Sequence, residues 1–124
     1  MKVREMMKIP YKVDRDLSLD DAAVKISNEG SDCILFMNGD KLRGIVTERD
    51  ILKNYGKKEK ISEIMSKNVI TIDAEAELKD ALELMRENRI KRLPVEHEGK
   101  ILGVISITDL ISEMGEVEGE FFFN

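Results

Sequence analysis

The segment Gly103–Asp109 reads GVISITD, and the segment Gly44–Asp50, 59 positions earlier, reads GIVTERD. Each segment holds a glycine, two β-branched apolar residues and a hydroxyl residue, followed three positions later by an aspartate. A hydroxyl residue that closes an apolar strand and has a carboxylate three positions on predicts the start of a helix. Such a helix start directs free backbone N–H groups and a positive dipole end at whatever lies before it. The chain therefore predicts two equivalent pockets, one in each half.

These two junctions belong to an internal repeat that covers most of the chain. Pairing each residue from Tyr11 to Leu52 with the residue 59 positions later gives an ungapped alignment. Identical pairs include Asp14 with Asp73, Leu19 with Leu78, Asp21-Ala22 with Asp80-Ala81, Lys41 with Lys100, Gly44 with Gly103 and Asp50 with Asp109. Upstream, Val3–Met7 resembles Ile61–Met65 at an offset of 58. Because about 60 residues make only a marginal core, we expect the two halves to fold as a pair.

Each repeat alternates strand and helix patterns. In the second repeat, the β-branched run Val69–Ile72 predicts a strand, and apolar residues at helical spacing predict a helix at Glu77–Asn88. The later elements are a strand at Arg92–Glu96, a turn at Glu98-Gly99, a strand at Ile101–Ser106 and a helix from Ser106. Their first-repeat counterparts include Ser18 as a helix N-cap, a hairpin turn at Asn38-Gly39, a closing helix from Thr47 and a linker at Gly56–Lys60. Each repeat is thus β-α-β-β-α, preceded by a short helical turn.

Composition excludes several classes of protein. The 124 residues are 42% hydrophobic and 36% charged, and no apolar run approaches the ~18 residues of a membrane span. Charged residues interrupt the N-terminus, so no signal peptide is predicted, and the single Cys33 excludes an intrachain disulfide. We expect a soluble cytoplasmic protein, and the abundant Lys and Glu without Gln are typical of a thermophile. Four glutamates after Ser112 supply most of the net charge of −5, so the body has no basic field for nucleic acid.

The duplicated pattern resembles the cystathionine β-synthase (CBS) domain, and two units in tandem resemble a CBS pair, or Bateman module. The phrases Ile64-Met65, Arg92–Val95 and Gly103–Asp109 are typical of that family, and the resemblance runs from about Val3 to Met114. It implies an α/β (α+β) fold of two tandem β-α-β-β-α CBS units related by pseudo-twofold symmetry. The units are expected at residues 1–58 and 59–116, with an acidic and aromatic tail at 117–124. We expect a stand-alone pair.

The resemblance implies that adenosyl ligands (AMP, ADP, ATP or S-adenosylmethionine) bind in two clefts between the units. The residues expected on the ribose and phosphate side are Thr47, Asp50, Ser106 and Asp109. A carboxylate facing two vicinal hydroxyls accepts two charge-assisted hydrogen bonds, which suits it to ribose. Lys91 and Arg92 are expected to bind phosphate. Apolar side chains and backbone expected against adenine come from Lys12, Val13, Ile70, Thr71 and Ile72.

One departure from the family pattern predicts unequal clefts. The first-repeat counterparts of Lys91-Arg92 are Asp32-Cys33, which do not bind phosphate. In the family, phosphate-binding residues often come from the unit opposite the ribose-binding aspartate. We therefore expect Asp50 with Lys91 and Arg92 to suit a phosphorylated nucleotide. Asp109, near Asp32, would suit a neutral or cationic adenosyl ligand or stay empty.

Each of these residues also has a simpler interpretation. Thr47 and Asp50 fit a capping box, which would contribute about 1 kcal/mol to the helix. Two occurrences at matched places favour ligand binding instead. Lys91 and Arg92 fit ordinary solvated charges, and His97, the only histidine, fits an exposed loop residue. The sequence holds no catalytic constellation and predicts no metal site, so we expect no enzyme.

The expected function is sensing, in which ligand occupancy is transmitted to a protein partner. A homodimer is expected through helices, with Ile51, Leu52, Leu110 and Ile111 either on that face or in the core. Two alternatives are a nucleic-acid-binding module and a protein-interaction scaffold whose clefts stay empty. The tail carries Phe121, Phe122 and Phe123, which would form a large apolar patch if exposed. We expect these rings to dock on the body or on a second chain, or else to anchor to a partner.

Overall fold

The computed structural model describes residues 1–114, and each repeat in it has the predicted order β-α-β-β-α after a short helical turn. The first repeat contains a 3-10 turn (Val3–Glu5), β1 (Lys12–Val13), α1 (Leu19–Glu29), β2 (Cys33–Asn38), β3 (Lys41–Thr47) and α2 (Glu48–Lys53). The second contains α3 (Ile61–Ile64), β4 (Ile72–Asp73), α4 (Leu78–Asn88), β5 (Arg92–His97), β6 (Lys100–Ser106) and α5 (Ile107–Met114). The mixed α/β class is confirmed. The tail at 117–124, with its predicted docking, lies outside the described residues.

Each repeat supplies one three-stranded sheet, and the two sheets have the same topology. In the first, β2 pairs in parallel with β1 and antiparallel with β3; in the second, β5 pairs in the same way with β4 and β6. Cys33 is in register with Thr47, and Arg92 is in register with Ser106. Each strand-to-helix junction therefore lies beside the first residue of the preceding strand.

The helical turns that open the repeats are exchanged between two compact units. The first compact unit is Pro10–Val69, and the second combines Met1–Ile9 with the described residues 70–114. Val3 is fully buried in the core of the second unit, and its N–H donates to the carbonyl of Ala76 at 2.8 Å. Ile61 is fully buried in the core of the first unit and donates to the carbonyl of Leu17 at 2.9 Å. Each core is thus completed by the opening turn of the other repeat.

Local sequence signals determine the ends of α1 and α4. The predicted N-cap Ser18 is confirmed, since its Oγ accepts a hydrogen bond from the N–H of Asp21 at 3.1 Å. The helix α1 ends at Gly30, whose φ of 65° suits the left-handed conformation that glycine adopts without a steric penalty. Arg89 ends α4 in the same conformation, with a φ of 54°. Helix α4 buries Leu78, Ala81, Leu82 and Met85, while the corresponding face of α1 buries Leu19, Ala22 and Ile26.

Two local predictions are wrong. The hairpin turn of the first repeat is Gly39-Asp40, one position later than predicted, because Asn38 pairs with Lys41 and remains in the strand. The strand predicted at Val69–Ile72 is the shorter β4, Ile72–Asp73. Ser66 still pairs with Ile45 in the first compact unit, so the intervening residues carry the chain from one unit to the other. They take no part in either strand ladder.

Candidate functional site

The first junction holds Asp50 against the start of α2. The N–H of Thr47 donates to Asp50 Oδ2 at 2.8 Å, and the Thr47 hydroxyl donates to the same oxygen at 3.1 Å. In return, the N–H of Asp50 donates to Thr47 Oγ1 at 3.3 Å. This is a reciprocal capping box, so the local interpretation of the motif is confirmed. Asp50 Oδ1 accepts no hydrogen bond within residues 1–114, and both side chains are half-buried, so the carboxylate retains an acceptor for a ligand.

The second junction shares the two hydroxyl hydrogen bonds of the first and adds a contact with a lysine. Ser106 Oγ donates to Asp109 Oδ2 at 2.9 Å, and the N–H of Asp109 donates to Ser106 Oγ at 3.2 Å. The other oxygen, Oδ1, lies 3.0 Å from Lys8 Nζ, and the Asp109 side chain is 18% exposed. The two carboxylates thus share a hydroxyl cap but have different electrostatic surroundings.

The glycine of each motif is required by a methionine packed against it. A Cβ added to Gly44 would collide with Met65 Sδ and lie 2.7 Å from Met65 Cγ, and one added to Gly103 would lie 2.7 Å from Met7 Sδ. Both positions would also approach a backbone carbonyl, that of Ser66 at 3.0 Å and that of Lys8 at 2.9 Å. Distances under 3 Å are not tolerated by real Cβ atoms without a shift. These glycines therefore allow the segment after each methionine to lie against the strand that leads to the aspartate.

The predicted phosphate-binding residues lie beside the second junction. Lys91 is exposed, and its carbonyl accepts the N–H of Ile107 at 2.8 Å. Arg92 is half-buried and in register with Ser106. In the first compact unit the carbonyl of Asp32 accepts the N–H of Glu48 at 3.1 Å, which is the equivalent contact. Within the second unit the structure therefore brings Lys91 and Arg92 together with Ser106 and Asp109, while Asp50 belongs to the first unit.

The residues predicted to contact adenine differ in their solvent exposure. Lys12 is exposed and Val13 is half-buried on β1, while Ile70 and Thr71 are half-buried just before β4. Ile72 is only 6% exposed and packs in the core. Its side chain is therefore not available to a ligand, which leaves its backbone for any contact.

A hollow in the second unit lies elsewhere, along α4. Its volume is about 350 Å³, and it is lined by Ile72, Ala76, Asp80, Glu83, Leu84 and Glu87. The lining includes only one of the predicted ligand residues, Ile72, and its charged groups are all carboxylates. We therefore locate the candidate site by the two junctions and not by this hollow.

His97 and Asp73 form a separate polar pair in the second unit. His97 Nδ1 lies 3.4 Å from Asp73 Oδ1, and Nε2 lies 3.7 Å from Glu98 Oε1. The backbone N–H of Glu75, followed by His97, holds the pKa of Asp73 below its ordinary value. Within residues 1–114 no group of three His, Cys, Asp or Glu side chains could hold a metal ion. Nor is any helix in that range long and apolar enough to cross a membrane.

Comparison with known sequences accounts for the repeat. The sequence profile of the CBS domain matches residues 3–57 and again residues 61–116. The chain belongs to the CBS-domain family. The resemblance inferred from the two GxxS/TxxD junctions is thereby confirmed, as a tandem pair.

Several curated relatives are much longer proteins. The CBS pair is 40% identical over 75 residues to an inosine-5'-monophosphate dehydrogenase of Methanocaldococcus jannaschii, covering 60% of this chain and 15% of the relative. It is 35% identical over 107 residues to the corresponding enzyme of Nitrosopumilus maritimus, covering 85% of this chain and 22% of the relative. The chain thus spans less than a quarter of the length of either dehydrogenase.

Solved structures of CBS pairs match the fold over nearly the whole chain. The CBS domain pair of protein MJ0100, solved with 5'-methylthioadenosine and S-adenosyl-L-methionine, is 25% identical with a TM-score of 0.85. The match covers 97% of this chain and 98% of that one. The CBS domain protein NE2398 is 29% identical with a TM-score of 0.81, and the match covers 92% and 97% of the two chains.

Sequence reasoning missed Lys8 as a neighbour of a CBS-motif aspartate. Lys8 and Asp109 lie at opposite ends of the chain, and no spacing rule joins them. A signal was nevertheless present, since Lys8 aligns with Ser66 at the 58-residue offset of the opening turns. That alignment marks a position where one repeat has a cation and the other has a short hydroxyl side chain.

Proposed function

We propose that this CBS pair is a regulatory module that binds adenosyl ligands at its two junctions and transmits their presence to a protein partner. The observation that carries this proposal is the pair of half-buried carboxylates, Asp50 and Asp109, each fixed by a cap that occupies only Oδ2. A carboxylate fixed in this way can accept hydrogen bonds from a ribose diol without reorganising. The adenosyl ligands in the MJ0100 pair support the same ligand class here.

We assign the roles within each site as follows. Thr47 with Asp50, and Ser106 with Asp109, bind the ribose and phosphate side of the ligand. Lys91 and Arg92 supply positive charge for a phosphate. The segments containing Lys12-Val13 and Ile70–Ile72 lie against the adenine. None of these groups forms a nucleophile–base pair, so the proposed role is binding and not catalysis.

We also propose that the functional particle is a homodimer. Leu110 is fully buried and belongs to the core, which removes it from the predicted dimer face. Ile51 and Ile111 are half-buried, whereas Leu52 is 73% and Tyr55 is 87% exposed near the end of α2. Substituting Leu52→Glu should halve the mass measured by light scattering, and an unchanged mass would contradict this interface.

Isothermal titration calorimetry tests ligand binding with adenosine, AMP, ATP and S-adenosylmethionine. Asp50→Asn and Asp109→Asn keep a cap acceptor but remove the charge, so the helix should persist while ribose binding weakens. The matched control is Ser18→Ala, which removes a helix cap of similar strength far from either junction in sequence. The affinity for nucleic acid is measured at two salt concentrations. A steep loss of that affinity with salt would indicate a nucleic-acid-binding module instead.

A further inference from the structure

A residue that follows the opening turn of a repeat lies beside each junction. It is Lys8 at the second junction and Ser66 at the first. Lys8 forms an isolated bridge with Val104, with N–H to carbonyl distances of 2.9 and 3.0 Å. Ser66 forms the same bridge with Ile45, with both distances at 3.0 Å. Val104 and Ile45 occupy equivalent places in the two motifs, each immediately after the glycine. Lys8 and Ser66 are therefore structural equivalents, although only Lys8 carries a charge.

This difference changes the net charge around each aspartate. Lys8 Nζ lies 3.0 Å from Asp109 Oδ1, so the carboxylate and the ammonium form a pair with no net charge. Within residues 1–114, no Lys, Arg or His nitrogen lies within 4 Å of Asp50. The Lys8 side chain is 70% exposed and keeps its remaining N–H donors toward solvent. At this position the second junction thus carries a positive charge that the first junction lacks.

We propose that Lys8 is a specificity-determining residue of the Asp109 site, favouring adenosyl ligands that carry a 5'-phosphate over neutral adenosine and over sulfonium ligands. The inference rests on the proposed function, because it assumes that Asp109 binds the ribose. The screening length at 0.1 M salt is about 10 Å, so a cation next to the ribose-binding carboxylate acts on the 5' substituent of the same ligand. Lysine also binds phosphate directly as a point charge with several donors.

The inference differs from the expectation based on sequence alone. That expectation assigned a neutral or cationic ligand to Asp109 because Asp32 and Cys33 replace a basic pair. It did not include Lys8, whose position follows from the fold. The ratio of AMP affinity to adenosine affinity at the Asp109 site separates the two views.

The test measures both affinities by calorimetry in an Asp50→Asn background, which leaves the Asp109 site as the intact one. Lys8→Ser copies the residue of the other repeat and keeps the backbone bridge. Lys8→Arg retains the charge, and Ser66→Lys in an Asp109→Asn background introduces it at the first junction. The matched control is Lys2→Ser, since Lys2 lies on the same segment but pairs with Glu75 at 2.7 Å.

At low salt we expect Lys8→Ser to lower the AMP-to-adenosine affinity ratio by up to about fivefold, the upper end of the range for one exposed charge pair. Lys8→Arg should restore the ratio, Ser66→Lys should raise it at the first junction, and Lys2→Ser should leave it unchanged. Adenosine binding with an unchanged ratio in Lys8→Ser would overturn the inference while leaving the proposed function intact. An equal loss of both ligands would show a merely structural role and would overturn it too. If no adenosyl ligand binds the unmodified protein, the proposed function fails and the inference fails with it.

Discussion

Asp50 and Asp109 occupy equivalent positions but have different electrostatic surroundings. Each carboxylate accepts a hydrogen bond from the hydroxyl three positions before it. What differs is a contact from a distant part of the chain, the Lys8 ammonium at 3.0 Å. The chemistry of each junction is therefore set partly by its motif and partly by the segment packed against it.

Gly103 allows the segment Met7-Lys8 to lie against β6. We predict that Gly103→Ala destabilises the protein by about 1–3 kcal/mol, because a Cβ would lie 2.7 Å from Met7 Sδ and 2.9 Å from the carbonyl of Lys8. Chemical denaturation measures the change in the free energy of unfolding. The control is Val24→Ala, an exposed helix position where little change is expected. Equal midpoints for the two variants would show that the segment is not held against the glycine.

Sequence predicted the residues of the junctions but not all of their neighbours. A hydroxyl and a carboxylate three positions apart interact locally, so Thr47 with Asp50 and Ser106 with Asp109 were accessible to pattern reasoning. Lys8 was not, because its approach to Asp109 depends on a bridge to Val104 formed only in the folded chain. The predicted adenine contact of Ile72 is left to its backbone, since its side chain is buried in the core.

The opening 3-10 turn is the element whose placement most departs from sequence order. It belongs to the first repeat, yet its N–H groups donate to the carbonyls of Ala74 and Ala76, between β4 and α4 of the second compact unit. Val3 and Ile61 are both apolar and occupy equivalent positions, so the repeat pattern alone could not say which sheet either turn would join. The order of elements was predictable from periodicity, whereas this exchange required the fold.

Val3→Ala tests whether the turn is part of the second core. Val3 is fully buried among apolar residues that include Leu93 and Ile105. Removing two methyl groups there should cost about 2 kcal/mol of unfolding free energy, from lost burial and the cavity left behind. Ile9→Ala is the control on the same segment, because Ile9 is 93% exposed. A loss below about 0.5 kcal/mol for Val3→Ala would contradict the packing.

Charged contacts reinforce the same element and predict a pH effect. Lys2 Nζ lies 2.7 Å from Glu75 Oε2, and Arg4 Nε lies 3.4 Å from Oε1. The Lys2 hydrogen bond, assisted by Arg4, holds the pKa of Glu75 below its ordinary value of 4.5. A carboxyl with a lowered pKa in the folded state stabilises the protein above the unfolded value and loses that contribution as the pH falls through the folded value.

We therefore predict that Glu75→Gln lowers stability modestly at pH 7, because exposed ion pairs contribute little. The gap to the unmodified protein should stay constant down to about pH 5 and close as the pH falls below the ordinary Glu value. Thermal melts between about pH 7 and pH 3 measure it. A gap that widens as the solution is acidified would show that the sign of the pKa shift is wrong.

At the scale of the molecule, tandem repetition places two equivalent strand-to-helix junctions in one short chain, and both compact units depend on segments from both repeats. A ligand that binds only the folded protein must stabilise it, by about 2.7 kcal/mol when its concentration is a hundred times its Kd. We predict that AMP or S-adenosylmethionine at such an excess raises the melting temperature by several degrees. Inosine, which has the same ribose but a different base edge, serves as the comparison ligand, and an unchanged melting temperature with every adenosyl compound would contradict binding.

The central claim is that Asp50 and Asp109 bind the ribose of an adenosyl ligand. Calorimetric titration of the unmodified protein, Asp50→Asn, Asp109→Asn and the double variant with one adenosyl panel tests it most directly. The account predicts two binding events in the unmodified protein, the loss of one event in each single variant, and none in the double variant, with Ser18→Ala unchanged. Undiminished binding by a folded double variant would contradict the claim.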